Sequence, residues 1–102
     1  MKPFRFADDA RRELDAALEW YETRFTPGSS ALLDAVENGI RRIQRHPRAS
    51  PTMPGDLESR AMVLPRLGYS IVYREEDDEI VILAIAHQRR RAGYWAGRHG
   101  RK

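Results

Sequence analysis

Three closely spaced apolar segments between residues 60 and 87 restrict the fold of this chain most strongly. The segments "RAMVLPRL", "YSIVYRE" and "EIVILAIAH" are rich in β-branched and aromatic residues and show the alternation that is typical of strands. Gly68 and the acidic pair Asp77-Asp78 separate them, as turn residues separate strands. The pattern predicts a three-strand antiparallel β-meander over about 59–87, and an apolar face of such a sheet needs a cover.

Two segments upstream of the strands have the helical spacing that such a cover requires. Leu14, Leu18 and Tyr21 follow this spacing in the first segment, and Leu32 and Val36 follow it in the second. Because only the short stretch "TPGSS" joins them, we expect an antiparallel helix hairpin over about 8–46. "KPFRF" at the N-terminus predicts an edge strand. Residues 47–58, "PRASPTMPGDLE", contain three prolines and predict a loop.

These elements predict an α+β fold in which the helix hairpin packs on a small antiparallel β-sheet. We expect a single domain over residues 1–102, ending in a basic segment, 88–102, that forms a short C-terminal helix or a tail. A chain of 102 residues with 41% hydrophobic residues suits one modest core. It has no cysteine, no signal-peptide pattern and no apolar run long enough to span a bilayer. We therefore expect a cytoplasmic protein without a metal, a cofactor or a membrane partner.

The first helix carries an aromatic pair and several acids. Its spacing puts Tyr21 on the apolar face and Trp20 about a hundred degrees away, at the edge of the helix pair or on an exposed surface. We expect packing roles for both rings. The carboxylates of Asp15, Glu19 and Glu22 share a polar face, which we interpret as solvated surface.

The stretch "AIAHQRRRAGYW", from Ala84 to Trp95, has the most unusual composition in the chain. Residues 80–102 contain six Arg or Lys residues and no acid, and sixteen of the eighteen basic residues of the chain are arginine. Arginine favours bidentate contacts with carboxylates or phosphates, although a GC-rich genome produces the same bias. One hypothesis is that His87, with Arg60 and Arg66, grips a phosphate and moves a proton in RNA cleavage. The other, which the composition favours, is that His87 fixes the strand end, the arginines cover acidic surface and Trp95 closes the core.

Three motifs that follow one another along the chain resemble those of the ParE/RelE toxin superfamily. Within the superfamily, they are most similar to those of the ParE-type plasmid stabilisation toxins. They are "EL…A…WYE" (13–22), "R…LPRLGYSIVY" (60–73) and "AIAHQRRRAGYW" (84–95), so the resemblance spans nearly the whole chain. It implies the toxin of a type II toxin–antitoxin system, neutralised by a small antitoxin such as a ParD-like protein. Members of the superfamily share an "H…R…YW" pattern, which falls here on His87, Arg90, Tyr94 and Trp95. They also share residues on the preceding strands, which correspond here to Arg60, Tyr69 and Tyr73. Ala92 and Gly68 stand where relatives commonly carry proline.

The superfamily has two main branches with different activities. RelE-like members are ribosome-dependent mRNA endonucleases, whereas ParE-like members bind and poison DNA gyrase. Ser70 stands where some endonucleases carry arginine, and no tyrosine follows His87. The resemblance therefore favours a ParE-like, non-enzymatic toxin with gyrase as its target. The alternatives are an mRNA endonuclease that uses Arg60, Arg66 and His87, and a partner that only regulates its own operon.

We expect the basic end of the chain to contact the target or the antitoxin, and DNA through the antitoxin or gyrase complex. The antitoxin should lie on the exposed apolar and arginine-bearing surface of the hairpin and the sheet. The candidate binding residues are Arg60, His87, Arg89, Arg90, Arg91, Tyr94, Trp95 and Arg98, with Arg101 in the tail.

Overall fold

Two helices pack on one mixed five-stranded sheet in the computed structural model, which describes residues 1–24, 28–89, 93–95 and 98. The chain order is β1 (Phe4–Phe6), α1 (Asp8–Arg24), α2 (Ser29–Arg45), β2 (Thr52–Met53), β3 (Asp56–Leu64), β4 (Tyr69–Glu75) and β5 (Ile80–His87). In the sheet the strands follow the order β1-β5-β4-β3-β2. The α+β prediction is confirmed, and β3, β4 and β5 form the antiparallel meander.

The N-terminal strand pairs with the C-terminal one. β1 runs parallel to β5, with Phe4 opposite Ile80 and Phe6 opposite Ile82. The chain then turns into α1, whose first residues, Asp8 and Asp9, place negative charge at the positive end of the helix dipole. The predicted edge strand is therefore present at one side of the sheet.

The structure differs from the sequence expectation at residues 47–58, which we predicted to be a loop. Thr52 and Met53 form β2, and β3 already begins at Asp56. Pro54-Gly55 is the turn between them, because proline fixes its own φ and Gly55 has a φ of 78°. The three prolines of this segment concealed a two-residue hairpin turn.

The helices cover one face of the sheet and bury most of the large side chains. Gly39 of α2 faces β3 and β4, and a Cβ there would lie 2.8 Å from Ile71 Cδ1. The absence of a side chain is what allows α2 to lie this close. The buried residues on this face include Leu14, Tyr21, Leu32, Val36, Ile43, Leu64, Ile71, Tyr73, Ile80, Ile82 and Ile85.

The opposite face of the sheet has a smaller core that includes the C-terminal segment. Trp95 is 4% exposed and belongs to this cluster, and Tyr94 packs beside it. Trp95 therefore closes a core, as the second hypothesis held, although it does so on the face away from the helices. The other buried members are Val72, Val81, Leu83, Ala84 and Ala86.

A β-bulge in β5 determines which residues face the helices. Val72 pairs with Ala84 while Tyr73 pairs with Ile82, so Leu83 is the extra residue. Before the bulge, even-numbered residues of β5 point towards the helices, and after it odd-numbered residues do. The bulge thus turns the side chain of His87 towards the helix side of the sheet.

Candidate functional site

The end of β5 and the middle of α1 enclose a groove, which we call the α1–β5 groove. Its volume is about 390 Å³. On α1, Glu13, Ala16, Ala17 and Trp20 follow helical spacing i, i+3, i+4 and i+7, which puts them on one stripe of the helix. The remaining lining residues are Tyr69, Ile85, His87 and Tyr94.

Aromatic rings run in an unbroken series along one side of this groove. The ring of Trp20 lies 5.5 Å from that of Tyr21, Tyr21 lies 6.3 Å from Tyr69, and Tyr69 meets His87 edge to face at 5.1 Å. Burial, with a smaller contribution from Tyr21, raises the pKa of Tyr69, so its hydroxyl stays protonated at neutral pH. Trp20 is 43% exposed and presents a large apolar surface at the mouth of the groove.

The His87 ring is held by its own chain. Its Nδ1 accepts a hydrogen bond of 3.1 Å from the backbone N–H of Arg89. In the neutral ring this bond assigns the proton to Nε2. The second hypothesis held that His87 fixes the strand end through a hydrogen bond, and the structure has this bond.

Glu13, in the lining of the groove, makes an ion pair with Arg98. Glu13 Oε1 accepts from the Ile85 N–H at 3.0 Å and from Arg98 Nη1 at 3.1 Å. Arg98 Nη1 also donates to the Leu83 carbonyl at 3.2 Å, and its guanidinium lies 5.0 Å from the centre of the Tyr94 ring. This partly buried pair thus ties Arg98 of the C-terminal segment to α1 and to the edge of β5.

The three residues of the RNA-cleavage hypothesis do not come together. His87 on β5 is at the same level of the sheet as Leu64 on β3, because both are paired with Tyr69 on β4. Arg60 lies four residues along β3 from Leu64. At the rise of a strand this separation along the sheet is about 13 Å. The Arg60 guanidinium instead donates to the carbonyls of the loop at residues 48 and 50.

Arg66 lies at the same end of the sheet as His87. It occupies the exposed tip of the β3–β4 turn with a φ of 71°, in the left-handed region that a side chain rarely adopts. Arg89 is also exposed and follows directly after β5. Arg90, Arg91 and Arg101 lie outside the described residues.

The match to a family model decides which group the chain belongs to. The model of the ParE toxin of type II toxin–antitoxin systems, parDE, matches residues 4–92. The chain belongs to the ParE toxin family. It is therefore the toxin member of a toxin–antitoxin pair, and the resemblance drawn from its motifs is confirmed.

Other comparisons bear on the fold of this ParE-family chain. Among solved structures it is similar to a chain of the chromosomal ParDE TA system from P. aeruginosa, with a TM-score of 0.62 and 22% sequence identity. The match covers 85% of this chain and 96% of that one. The curated proteins gave no significant match. In the part of this ParE-family chain that the structure describes, no helix has the length and apolar character needed to cross a membrane.

Sequence reasoning missed half of the groove of this ParE toxin. His87, Tyr69 and Tyr94 were singled out, but Glu13 and Ala16 were not. A signal was present in α1, because Glu13 lies directly beside the apolar stripe that begins at Leu14. A carboxylate next to a buried stripe often finds a partner in the sheet that the helix covers.

Proposed function

We propose that this ParE-family protein stops growth by binding and poisoning DNA gyrase in the cytoplasm, and that a ParD-like antitoxin neutralises it. We favour a toxin that acts by binding over one that cleaves RNA because Arg60 and His87 are far apart along the sheet. RNA cleavage needs a proton acceptor, a proton donor and cations around one phosphate. A trio spread over about 13 Å of sheet does not supply that arrangement.

The exposed cations at the His87 end of the sheet support a target surface there. Arg66 and Arg89 are exposed at this end. Cations on one edge favour an acidic protein surface or the DNA that gyrase holds, since such charges accelerate and orient association. Arg98 does not add to this set, because it is ion-paired with Glu13 and Asp9 within the chain.

A second groove, between the two helices and β1, supports the antitoxin interface. Its volume is about 400 Å³. Phe4 and Leu33 in its lining are 42% and 37% exposed, and the charged lining residues are Arg11, Arg41 and one acid, Glu37. An apolar groove with basic edges suits an amphipathic helix that carries acids beside its apolar face.

The test combines expression in cells with a purified assay. The chain is expressed from a tight promoter without its antitoxin while growth, the DNA-damage response and mRNA integrity are followed. We expect arrest with DNA damage and intact mRNA, and accumulation of cleaved DNA when the purified chain is added to gyrase and supercoiled DNA. Arrest with cleaved mRNA and no DNA damage would overturn the proposal in favour of the endonuclease. Unimpaired growth would favour the purely regulatory partner.

Charge-reversal variants locate the target surface. Arg89→Glu should weaken gyrase poisoning, because it puts an acid in the proposed contact. Arg45→Glu is the matched control, since Arg45 is equally exposed but lies at the end of α2. Equal activity of both variants would remove the His87 end from the target surface.

A further inference from the structure

The β3–β4 turn holds Arg66 in a backbone conformation that suits glycine. The Leu67 N–H donates to the Leu64 carbonyl at 3.3 Å, which closes a β-turn over residues 64–67. Pro65 occupies its second position, and Arg66, with a φ of 71°, its third. This is the pattern of a type II turn, whose third position is normally glycine or asparagine because other side chains are strained there. An arginine at this position therefore lowers the stability of the fold.

Hydrogen bonds to the rest of the protein keep the turn in this conformation. Besides the bond that closes the turn, the Tyr21 hydroxyl donates to the Leu67 carbonyl at 2.7 Å. The Gln88 N–H donates to the Gly68 carbonyl at 2.8 Å. Because Tyr21 is part of the core, the turn is anchored to the most rigid part of the molecule. The backbone at Arg66 cannot relax without loss of these bonds, and strain of this kind clusters at sites where a side chain has a function.

No ion pair within the described part of the chain explains why this position carries arginine. Arg48, Arg74 and Arg98 each pair with a carboxylate of the chain. Among the residues that the structure describes, no carboxylate pairs with Arg66, whose side chain is exposed. Its planar guanidinium is therefore available to an external carboxylate, which it can bind through two parallel hydrogen bonds.

The surroundings of Arg66 have the composition of a protein interface. Val63 is 65% exposed on β3, and Pro65 is exposed directly before the arginine. Arginine beside exposed apolar side chains is typical of the residues that dominate binding between proteins. Surfaces that bind DNA are more polar and more positively charged. The turn therefore fits a carboxylate on a partly apolar protein surface better than it fits a DNA backbone.

We propose that Arg66 is a specificity-determining residue of the toxin, and that the β3–β4 turn presents its guanidinium to a carboxylate on the gyrase protein. Val63 and Pro65 make the apolar contacts around this ion pair. The proposal rests on the proposed function in that it takes gyrase as the target, and it adds the chemical class of the partner group. Because the turn is fixed before binding, only the side chain of Arg66 has to be ordered in the complex, which favours affinity.

The first experiment measures binding of the toxin to purified gyrase in the absence of DNA. Arg66→Ala removes the guanidinium but keeps a side chain at the same φ, and we expect it to weaken binding by about tenfold or more. Arg45→Ala is the matched control, because Arg45 is also exposed but lies at the end of α2. Arg66→Lys keeps the charge without the planar guanidinium and should bind with an affinity between those of wild type and Arg66→Ala.

The second experiment separates binding from folding. Arg66→Gly should be more stable than wild type in urea because it relieves the left-handed φ, and yet it should bind gyrase as weakly as Arg66→Ala. Loss of binding in a more stable protein cannot come from unfolding. A variant that combines Pro65→Arg with Arg66→Gly keeps an arginine in the turn, one position earlier. It should also bind weakly, because the guanidinium then leaves the turn from a different point.

Four outcomes would overturn the inference. Wild-type affinity of Arg66→Ala, in a toxin that poisons gyrase, would refute the role of Arg66 and leave the proposed function standing. Wild-type affinity of the combined Pro65→Arg and Arg66→Gly variant would show that any positive charge in the turn suffices. An effect of Arg66→Ala that appears only when DNA is added would show that Arg66 binds a DNA phosphate. Failure of the wild-type toxin to bind gyrase, with or without DNA, would refute the gyrase target and this inference together.

Discussion

Replacing Gly39 by alanine should destabilise the protein, although alanine is the better helix former. A Cβ at this position would lie 2.8 Å from Ile71 Cδ1 and 3.2 Å from Met62 Sδ. The Met62 side chain is only partly buried and can move, but Ile71 is fully buried and cannot. Alanine gains about 1 kcal/mol in helix propensity, and overpacking costs about 1–3 kcal/mol. With the closest atom in a fully buried side chain we take about 2 kcal/mol for the overpacking, which leaves a net loss of about 1 kcal/mol.

Urea unfolding followed by circular dichroism measures this loss, which corresponds to a Tm lower by about 4 °C. A double-mutant cycle identifies its cause, because Ile71→Val removes the Cδ1 atom that the new Cβ would meet. Ile71→Val alone should cost about 1 kcal/mol. In that background Gly39→Ala should no longer destabilise, which gives a favourable coupling of about 2 kcal/mol. If Gly39→Ala stabilises the wild-type protein, or if the two changes are additive, the close approach of α2 is not what requires glycine.

Three further predictions concern the ends of the helices and the β3–β4 turn. Tyr21→Phe removes the hydroxyl that donates to the Leu67 carbonyl at 2.7 Å, and should cost about 1 kcal/mol in urea unfolding; a variant as stable as wild type would mean that water satisfies this carbonyl equally well. Arg66→Gly relieves the left-handed φ of 71° and should stabilise the protein by about 0.5–1 kcal/mol in the same assay; a variant no more stable than wild type would mean that this φ costs the folded protein nothing. Hydrogen bonds from the hydroxyl and the backbone N–H of Ser29 lower the pKa of Glu22, so its stabilising effect is present above the usual carboxyl pKa and is lost as the pH falls through the lowered value. Glu22→Gln should therefore be less stable than wild type at pH 7, and this difference should shrink as the pH falls below the usual carboxyl pKa. A difference that does not change with pH would have another cause.

The elements of the fold that follow from local sequence patterns were predictable. The helix hairpin and the antiparallel order of β3, β4 and β5 come from periodicity and from turn residues that lie within a few positions of each other. The pairing of β1 with β5 joins residues more than seventy positions apart, as in Phe4 and Ile80, and no local pattern carries it. The strand β2 was not predicted, because a two-residue strand among three prolines has no periodicity to detect.

The candidate site was predictable only on the side of the sheet. His87 and Tyr94 stand out because they interrupt or follow an apolar strand. Trp20 was expected at the edge of the helix pair or on an exposed surface, but not in a groove. Glu13 does not stand out, since a carboxylate on a helix is ordinary until the surface it faces is known. Arg98 was predicted to contact a partner, and the structure gives it contacts within the chain, with Glu13 and the Leu83 carbonyl.

The bulge at Leu83 explains why the sequence did not predict which residues of β5 face the helices. The stretch "IVILAIA" is apolar at every position, so a change of facing within it leaves no trace in the pattern. If β5 alternated regularly through Leu83 without a bulge, Ala84 and Ala86 would continue the helix-facing row of Ile80 and Ile82, and His87 would point to the opposite face. With the bulge, Leu83 and Ala84 both face away from the helices, so the helix-facing row is Ile80, Ile82, Ile85 and His87. The bulge therefore brings His87 to the lining of the α1–β5 groove, so an irregularity that the apolar pattern does not show decides which residues of β5 form this site.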